Sequence, residues 1–231
     1  AEEAMLPAMV CMEGFVVSHV SEAVEIPPQE AVDRFLPPYE PEIYLDVSQP
    51  FAFCPSAPQD YMGLRYFVQQ AMERAASFVP EAEDEFTGLF GRKYSAVAPY
   101  LMEDADTVMV AAGAISATLR HTARALRKRG ERVGVLRVRW FRPFPDSEVR
   151  KHLCGRKAVV VFDRSISYGK GGALACEIRD ALYGAKDAPP VYSVIAGLGG
   201  ADVTPEMIED AIRNAERVGI EGKAQWIGMK R

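Results

Sequence analysis

Apolar residues along the 231-residue chain follow two regimes, and the change comes near Asp106. Beyond it, short apolar runs alternate with stretches in which apolar residues recur every three or four positions, the spacing that gathers them on one side of a helix. Residues 107–111, 133–138, 157–162 and 191–195 read as buried strands. Residues 116–128, 147–153 and 172–183 read as helices; the first has Ile115, Leu119, Ala123 and Leu126 on one side, and the third turns Leu174, Ile178, Ala181 and Leu182 inward. A last helix has a marked start. Thr204 caps it, Pro205 suits its first position, Glu206 lies where the helix dipole favours an anion, and Ile208, Ala211, Ile212 and Ala215 form its buried stripe. Strands separated by helices of this length cross over right-handed, so the predicted class is α/β, a largely parallel sheet with helices on both faces.

Before Asp106 the pattern is less regular. Residues 6–12 form a short apolar run of the buried-strand type, ending in Glu13-Gly14-Phe15. A lone strand has no sheet. It either joins the later sheet or closes a domain whose earlier part is absent, and a start at Ala1-Glu2-Glu3 without a signal-peptide pattern favours the second. Eight prolines lie between Pro27 and Pro58; each removes a backbone donor and fixes φ, so residues 26–59 are expected to form an extended connector without regular elements. Its Phe35, Leu36, Tyr39, Ile43, Tyr44, Leu45, Phe51 and Phe53 need a surface to pack on. Residues 59–79 then read as a packing helix with Leu64, Phe67, Val68, Ala71, Ala75 and Phe78 at helical spacing, stopped by Pro80.

Composition narrows the class. A chain 48% hydrophobic and 26% charged matches a folded globular protein, and no apolar run reaches the length that spans a bilayer. Cys11, Cys54, Cys154 and Cys176 form no C-x-x-C pair, and His19, His121 and His152 sit in unrelated contexts, so no local metal site is expected. Scattered cysteines of this kind read as the reduced thiols of a cytoplasmic protein. Charge divides as the pattern does: residues 1–100 carry sixteen acids against five bases, and residues 101–231 sixteen acids against twenty-two bases.

Ligands in open parallel sheets sit beyond the carboxyl ends of the strands, which singles out three loops. Ala111-Ala112-Gly113-Ala114-Ile115-Ser116 turns into a helix whose amino end suits an anion; equally, its small residues let strand and helix approach. Asp163-Arg164-Ser165-Ile166-Ser167-Tyr168-Gly169-Lys170-Gly171-Gly172 offers Gly169, Lys170, Gly171 and Gly172 as a phosphate cradle, but it matches neither the P-loop nor the dinucleotide fingerprint, and a tight packing turn explains it as well. Gly197-Leu198-Gly199-Gly200-Ala201-Asp202-Val203-Thr204-Pro205 is accounted for by backbone freedom and helix capping.

Nine bases and one acid, Glu131, lie between Arg120 and Arg142. Arg120, Arg124 and Arg127 share a helix face. With Arg139 and Arg142 they are candidates for contact with an acidic partner; the acidic chain as a whole and the absence of a reading motif argue against nucleic acid. No motif pairs a nucleophile with a base, so no catalytic residue is assigned.

Three strings read together carry a resemblance. Val138-Arg139-Trp140-Phe141-Arg142-Pro143-Phe144-Pro145, then Val161-Phe162-Asp163-Arg164-Ser165-Ile166-Ser167-Tyr168-Gly169, then the Gly197 to Pro205 loop resemble, in order and spacing, the alpha subunit of the pyruvate-type 2-oxoacid:ferredoxin oxidoreductases. The likeness extends over nearly the whole chain and departs at Ala201, where the family often has arginine. It implies the C-terminal portion of that subunit: residues 1–25 as the tail of a thiamine pyrimidine-type domain, 26–100 as the connector and packing helix, and 101–231 as a domain similar to the transketolase C-terminal domain. It further implies a complex that decarboxylates a 2-oxoacid on thiamine pyrophosphate with Mg, passes electrons through [4Fe-4S] clusters to ferredoxin and forms acyl-coenzyme A. Those groups are then held with beta-, gamma- and delta-type subunits, and this chain alone is expected to be inactive. The rival readings are a stand-alone nucleotide or coenzyme A binding module, and a transketolase or dehydrogenase E1 beta-type terminal domain.

Overall fold

The computed structural model describes residues 1–14, 17–41, 44, 46–48, 58–218 and 223–229, without the side chains of 216–218. Phe15, Ile43, Leu45, Phe51, Phe53 and Cys54 lie outside the described residues. The chain divides into two compact units, residues 1–10 with 21–94, and residues 11–20 with 95–231.

The first unit is built on two helices, α1 (Gln29–Phe35) and α2 (Pro58–Phe90). The expectation of a connector without regular elements fails at α1. Pro28 sits at the N-cap with φ −59°, Glu30 lies in the first turn and Arg34 in the last. The helix thus occupies the window between Pro28 and Pro37, where every residue keeps its N–H. Phe35 anchors it on α2, with ring centroids 5.5 Å from Phe86 and 5.9 Å from Phe90 in edge contacts.

Pro80 does not stop α2, which continues ten residues past it to Phe90. Pro80 and Ala76 are both exposed, so the Ala76 carbonyl left without a helical donor can take one from water. The apolar stripe of α2 is buried at Ala71 only, whereas Leu64, Phe67 and Val68 are exposed.

The expected strand at residues 6–12 is also absent. These residues have no regular structure, and Met9 and Val10 are 89% and 95% exposed. An apolar run becomes a strand only where a ladder partner satisfies its backbone, and none of the described strands pairs with it.

The second unit is a six-stranded sheet in the order β1-β3-β2-β4-β5-β6. Its strands are β1 (Val97–Tyr100), β2 (Thr107–Ala112), β3 (Val133–Val138), β4 (Ala158–Asp163), β5 (Val191–Ile195) and β6 (Gln225–Trp226). All neighbours are parallel except β1, which runs antiparallel to β3 on one edge and contains Pro99. Helices α3 (Ile115–Lys128), α4 (Asp146–Leu153), α5 (Ala173–Leu182) and α6 (Pro205–Val218) cover both faces, as the α/β reading predicts.

Strand alternation makes two cores. Val108 and Val110 of β2 pack with Val159 and Val161 of β4, Val149 and Leu153 of α4, and Leu174 and Ile178 of α5. Met109 and Ala111 face the other way, with Val160 and Phe162, Leu119 and Leu126 of α3, and Ile208 and Ala211 of α6. A strand buried on both faces is apolar throughout, which is why β2 and β4 are legible as continuous runs. The α6 start is as predicted: Thr204 Oγ1 accepts the Met207 N–H at 3.3 Å. The short edge strands β1 and β6 were not expected. Pro99 masks the first, and the second has only two residues.

Candidate functional site

The three glycine-bearing loops lie at the carboxyl ends of β2, β4 and β5, and the structure shows how each is held. Asp163, the last residue of β4, is 3% exposed. Its carboxylate accepts the N–H of Leu174 at 2.8 Å and of Ala175 at 3.0 Å, the first turn of α5. Beside it, Ser193 Oγ on β5 accepts the Gly172 N–H at 3.2 Å. The helix end therefore already faces an anion of the chain itself. Burial pushes the Asp163 carboxyl above the ordinary carboxylate range, and the N–H groups of Leu174 and Ala175 pull the other way.

Gly172 is fixed by this arrangement, since a Cβ there would lie 2.0 Å from the Asp163 Oδ2. The loop tip is a small hairpin in which Ser167 N–H donates to the Gly171 carbonyl at 2.7 Å and Gly171 N–H returns to Ser167 at 3.0 Å. Gly169 adopts φ +79° at its turn. Lys170 and Tyr168 project outward, Tyr168 91% exposed. Gly169 and Lys170 thus stand at the exposed tip, while Gly171 and Gly172 are buried at its base.

At the β5 loop, Gly197 adopts φ +68°, and a Cβ there would meet Val203 Cγ2 at 2.9 Å and Arg164 Nε at 3.1 Å. Arg164 crosses this glycine: its Nε donates to the Gly197 carbonyl at 3.2 Å and its Nη1 to Glu13 Oε1 at 3.3 Å. Glu13 Oε2 in turn accepts the Val17 N–H at 3.0 Å. Sequence reasoning missed this pair, because nothing in the spacing of two residues 151 positions apart signals it. At the β2 loop, Gly113 turns with φ +71° and its carbonyl accepts from Ser116 Oγ.

The five arginines do not form one patch. Arg120 lies over the Tyr100 ring at 4.5 Å, and Arg124 lies over the same ring at 5.6 Å while its Nε donates to the Tyr100 hydroxyl. Arg127 turns inward, donating to the Asp104 carboxylate, the Leu101 carbonyl and the Val133 carbonyl. Arg139 donates to the Ser95 carbonyl at 3.1 Å. Arg142 pairs with Glu177 at 2.9 Å and covers the Phe141 ring. The shared helix face expected for Arg120, Arg124 and Arg127 therefore holds only for the first two, since Arg127 is drawn to Leu101 and Asp104 on the β1–β2 connection and to Val133 at the start of β3.

Comparison with known proteins places this arrangement. A family model described as pyruvate:ferredoxin oxidoreductase core domain II matches residues 105–208, and one described as pyruvate flavodoxin/ferredoxin oxidoreductase, thiamine diphosphate-binding, matches residues 1–84. Both descriptions name oxidoreductases of the pyruvate:ferredoxin type, and the chain is similar to them over these two stretches. Among the relatives it matches, pyruvate synthase subunit PorA of Methanothermobacter thermautotrophicus is 42% identical over 229 residues, covering 99% of this chain and 58% of that protein. Ketoisovalerate oxidoreductase subunit VorA of Pyrococcus abyssi is 37% identical over 238 residues, covering all of this chain and 60% of that protein. The chain thus spans somewhat over half the length of the oxidoreductase subunits it matches. A solved split-gene transketolase in an inactive beta4 tetramer aligns with a TM-score of 0.43 at 18% identity, over 54% of this chain and 43% of that one, and nothing further rests on it.

The groups associated with this oxidoreductase family can be set against the donors in hand. Among the described residues no three His, Cys, Asp or Glu side chains converge to hold a metal ion. Cys11, Cys154 and Cys176 are free thiols in separate places, which does not make the four-thiolate nest of a [4Fe-4S] cluster. The α5 amino end, the natural diphosphate seat, already receives Asp163. The described residues do not fit an iron-sulfur cluster or a magnesium diphosphate.

Proposed function

We propose that this chain forms the C-terminal portion of an alpha-type subunit of a pyruvate:ferredoxin oxidoreductase and acts as its structural, assembly-forming part. In this reading residues 1–25 close the thiamine pyrimidine-type domain, 26–100 form the connector and packing helix, and 101–231 form the transketolase C-terminal-like domain. The complex carries out oxidative decarboxylation of a 2-oxoacid, with pyruvate as the substrate, to acyl-coenzyme A and reduced ferredoxin. Thiamine pyrophosphate, Mg, [4Fe-4S] clusters and coenzyme A are bound with the beta-, gamma- and delta-type subunits, in the cytoplasm.

The observation that carries this reading is the match along 99% of the chain to a pyruvate synthase subunit. The described side chains support the division of labour. The carboxylate, hydroxyl and glycines at the end of β4 are tied to one another, so the chemistry they perform is to hold the carboxyl edge of the sheet rigid. A thiamine enzyme that assembles its centre between domains requires such a fixed wall. No helix among the described residues is long and apolar enough to cross a membrane.

The test is reconstitution. Purified chain given pyruvate, coenzyme A and a viologen dye should show no dye reduction, and addition of the companion subunits should bring reduction that requires both pyruvate and coenzyme A. Dye reduction by the chain alone, or iron-sulfur absorption in it, refutes the proposal. Calorimetric titration of coenzyme A into the chain separates the rival: tight binding lost in Lys170→Ala would make it a coenzyme-binding module.

A further inference from the structure

Two arginines rest on Tyr100, and a third that nothing answers stands diagonally across the strand pair from it. Val133 and Val135 of β3 belong to the core beneath α3, so strand alternation turns Arg137 to that same face. In the antiparallel register Tyr100 of β1 lies opposite Val135 and Ala98 opposite Arg137. Arg137 and Tyr100 are therefore diagonal neighbours, about 7–8 Å apart and within reach of a long side chain. Arg120 and Arg124 come down on the Tyr100 ring from α3, at 4.5 and 5.6 Å from its centroid. The fold thus gathers three guanidinium groups at one edge of the sheet, all within the second unit.

Arg137 is partly buried, and its Nε is shut off from solvent with no hydrogen-bond partner. Among the described residues no carboxylate is within ion-pair distance of Arg120, Arg124 or Arg137. The three elements that carry the cluster, β1, α3 and β3, contain no Asp or Glu at all. A donor that has lost water without gaining an acceptor costs free energy, and like charges on one face add to that cost. Both terms are relieved by an anion that brings several acceptor oxygens at once.

The chemistry of the cluster selects the anion. A carboxylate offers one charge and two oxygens, whereas a phosphate group offers up to two charges and three strong acceptor oxygens, enough for three guanidinium groups. Stacking on Tyr100 orders Arg120 and Arg124 while leaving their edge N–H groups free for planar or tetrahedral acceptors. Much of the side-chain ordering that binding requires is then already done. Because the Tyr100 ring is covered by arginines, the group recognised is the phosphate itself and not a base stacked beside it.

We propose that Arg120, Arg124 and Arg137 form a binding site for a phosphate group, carried either as free polyphosphate or on a nucleotide. This goes beyond the proposed function and does not depend on it, since phosphate binding is read on the chain alone and dye reduction on the reconstituted complex.

Calorimetric titration of sodium pyrophosphate and of ATP into the full chain tests it, with EDTA present and ionic strength held constant with NaCl. Binding of pyrophosphate is expected, with a matching rise in the thermal unfolding midpoint. Equal affinity for the two ligands assigns the site to free polyphosphate, and tighter binding of ATP that still requires Arg137 assigns it to phosphate borne on a nucleotide. Arg137→Met and, separately, the exposed Arg120→Gln should each weaken binding on the order of tenfold, the loss of a charge-assisted contact. Lys170→Ala, on a different loop, should leave it unchanged. Without ligand, Arg137→Met should be at least as stable as wild type, because it removes a charge that the chain leaves unpaired. Absence of binding overturns the proposal, as does binding indifferent to Arg137→Met and Arg120→Gln, or an unfolding midpoint that NaCl raises as much as pyrophosphate. A ligand-free Arg137→Met less stable than wild type also overturns it, since the guanidinium is then satisfied within the chain. So does a chain that binds no phosphate and needs these arginines only to hold an acidic companion.

Discussion

Glu13 and Arg164 meet at 3.3 Å although 151 residues separate them, and the same guanidinium holds the Gly197 carbonyl. One side chain thereby ties Glu13, the end of β4 and the β5 loop of the second unit together, and Glu13 in turn holds the Val17 N–H. Both partners are largely buried, with side-chain exposures of 24% and 15%, so the pair is screened far less than a surface one.

Arg164→Met should therefore release residues 11–20. Amide exchange across that segment should rise well above wild type, while β2 and β4 stay protected, and stability should drop by about 1–3 kcal/mol in urea melts. Unchanged exchange in residues 11–20 would show that the pair is incidental.

Asp163→Ala strips acceptors from two buried N–H groups and should cost about 2 kcal/mol, read as a lower urea midpoint with unchanged m. Asp163→Asn keeps one acceptor oxygen and should lose less. Gly172→Ala should be worse than Asp163→Asn, because its Cβ would fall on the carboxylate itself.

The acid limb of stability should depend on Asp106. Its pKa is held below the ordinary carboxylate value chiefly by the hydrogen bond from Lys157, with Arg132 adding to it. A depressed folded pKa means stability that is present above the unfolded value near 3.8 and lost as pH falls through the folded one. Lys157→Met should lower stability at neutral pH, and the gap to wild type should close as the pH falls below about 4. A gap constant with pH would assign the loss to packing.

Leu119 is fully buried between the sheet and α6, and Leu119→Ala should cost about 3 kcal/mol, whereas Leu64→Ala on the exposed stripe of α2 should fall within about 0.5 kcal/mol in the isolated chain. Equal losses at both positions would mean that α2 is covered in solution.

The second unit was legible because its strands are buried on both faces and its helices carry a three-to-four stripe, so each element declares itself locally. The α6 start at Thr204 and Pro205 is the clearest case. The first unit misled for the opposite reason. Residues 6–12 have the composition of a strand without a ladder partner, Pro80 sits on an exposed side where its missing donor does little harm, and α1 fits a window between prolines too short to show periodicity. At the candidate site, glycines and hydroxyls suggested a phosphate cradle, and only coordinates could reveal that Asp163 and Ser193 already use the N–H groups. Long-range partners such as Glu13 and Arg164, or two arginines sharing Tyr100, leave no trace in spacing.

The borders of the sheet bear on how this protein can be joined by others. One margin is β1, where Pro99 withholds a donor, and the other is β6, only two residues long. Neither offers a rail on which a stranger's backbone could zip, since backbone addition needs an unbroken row of donors and acceptors. Any chain that docks on these margins would have to be recognised through side chains, which differ from protein to protein, and that guards this framework against sticking to sheets that are not its own.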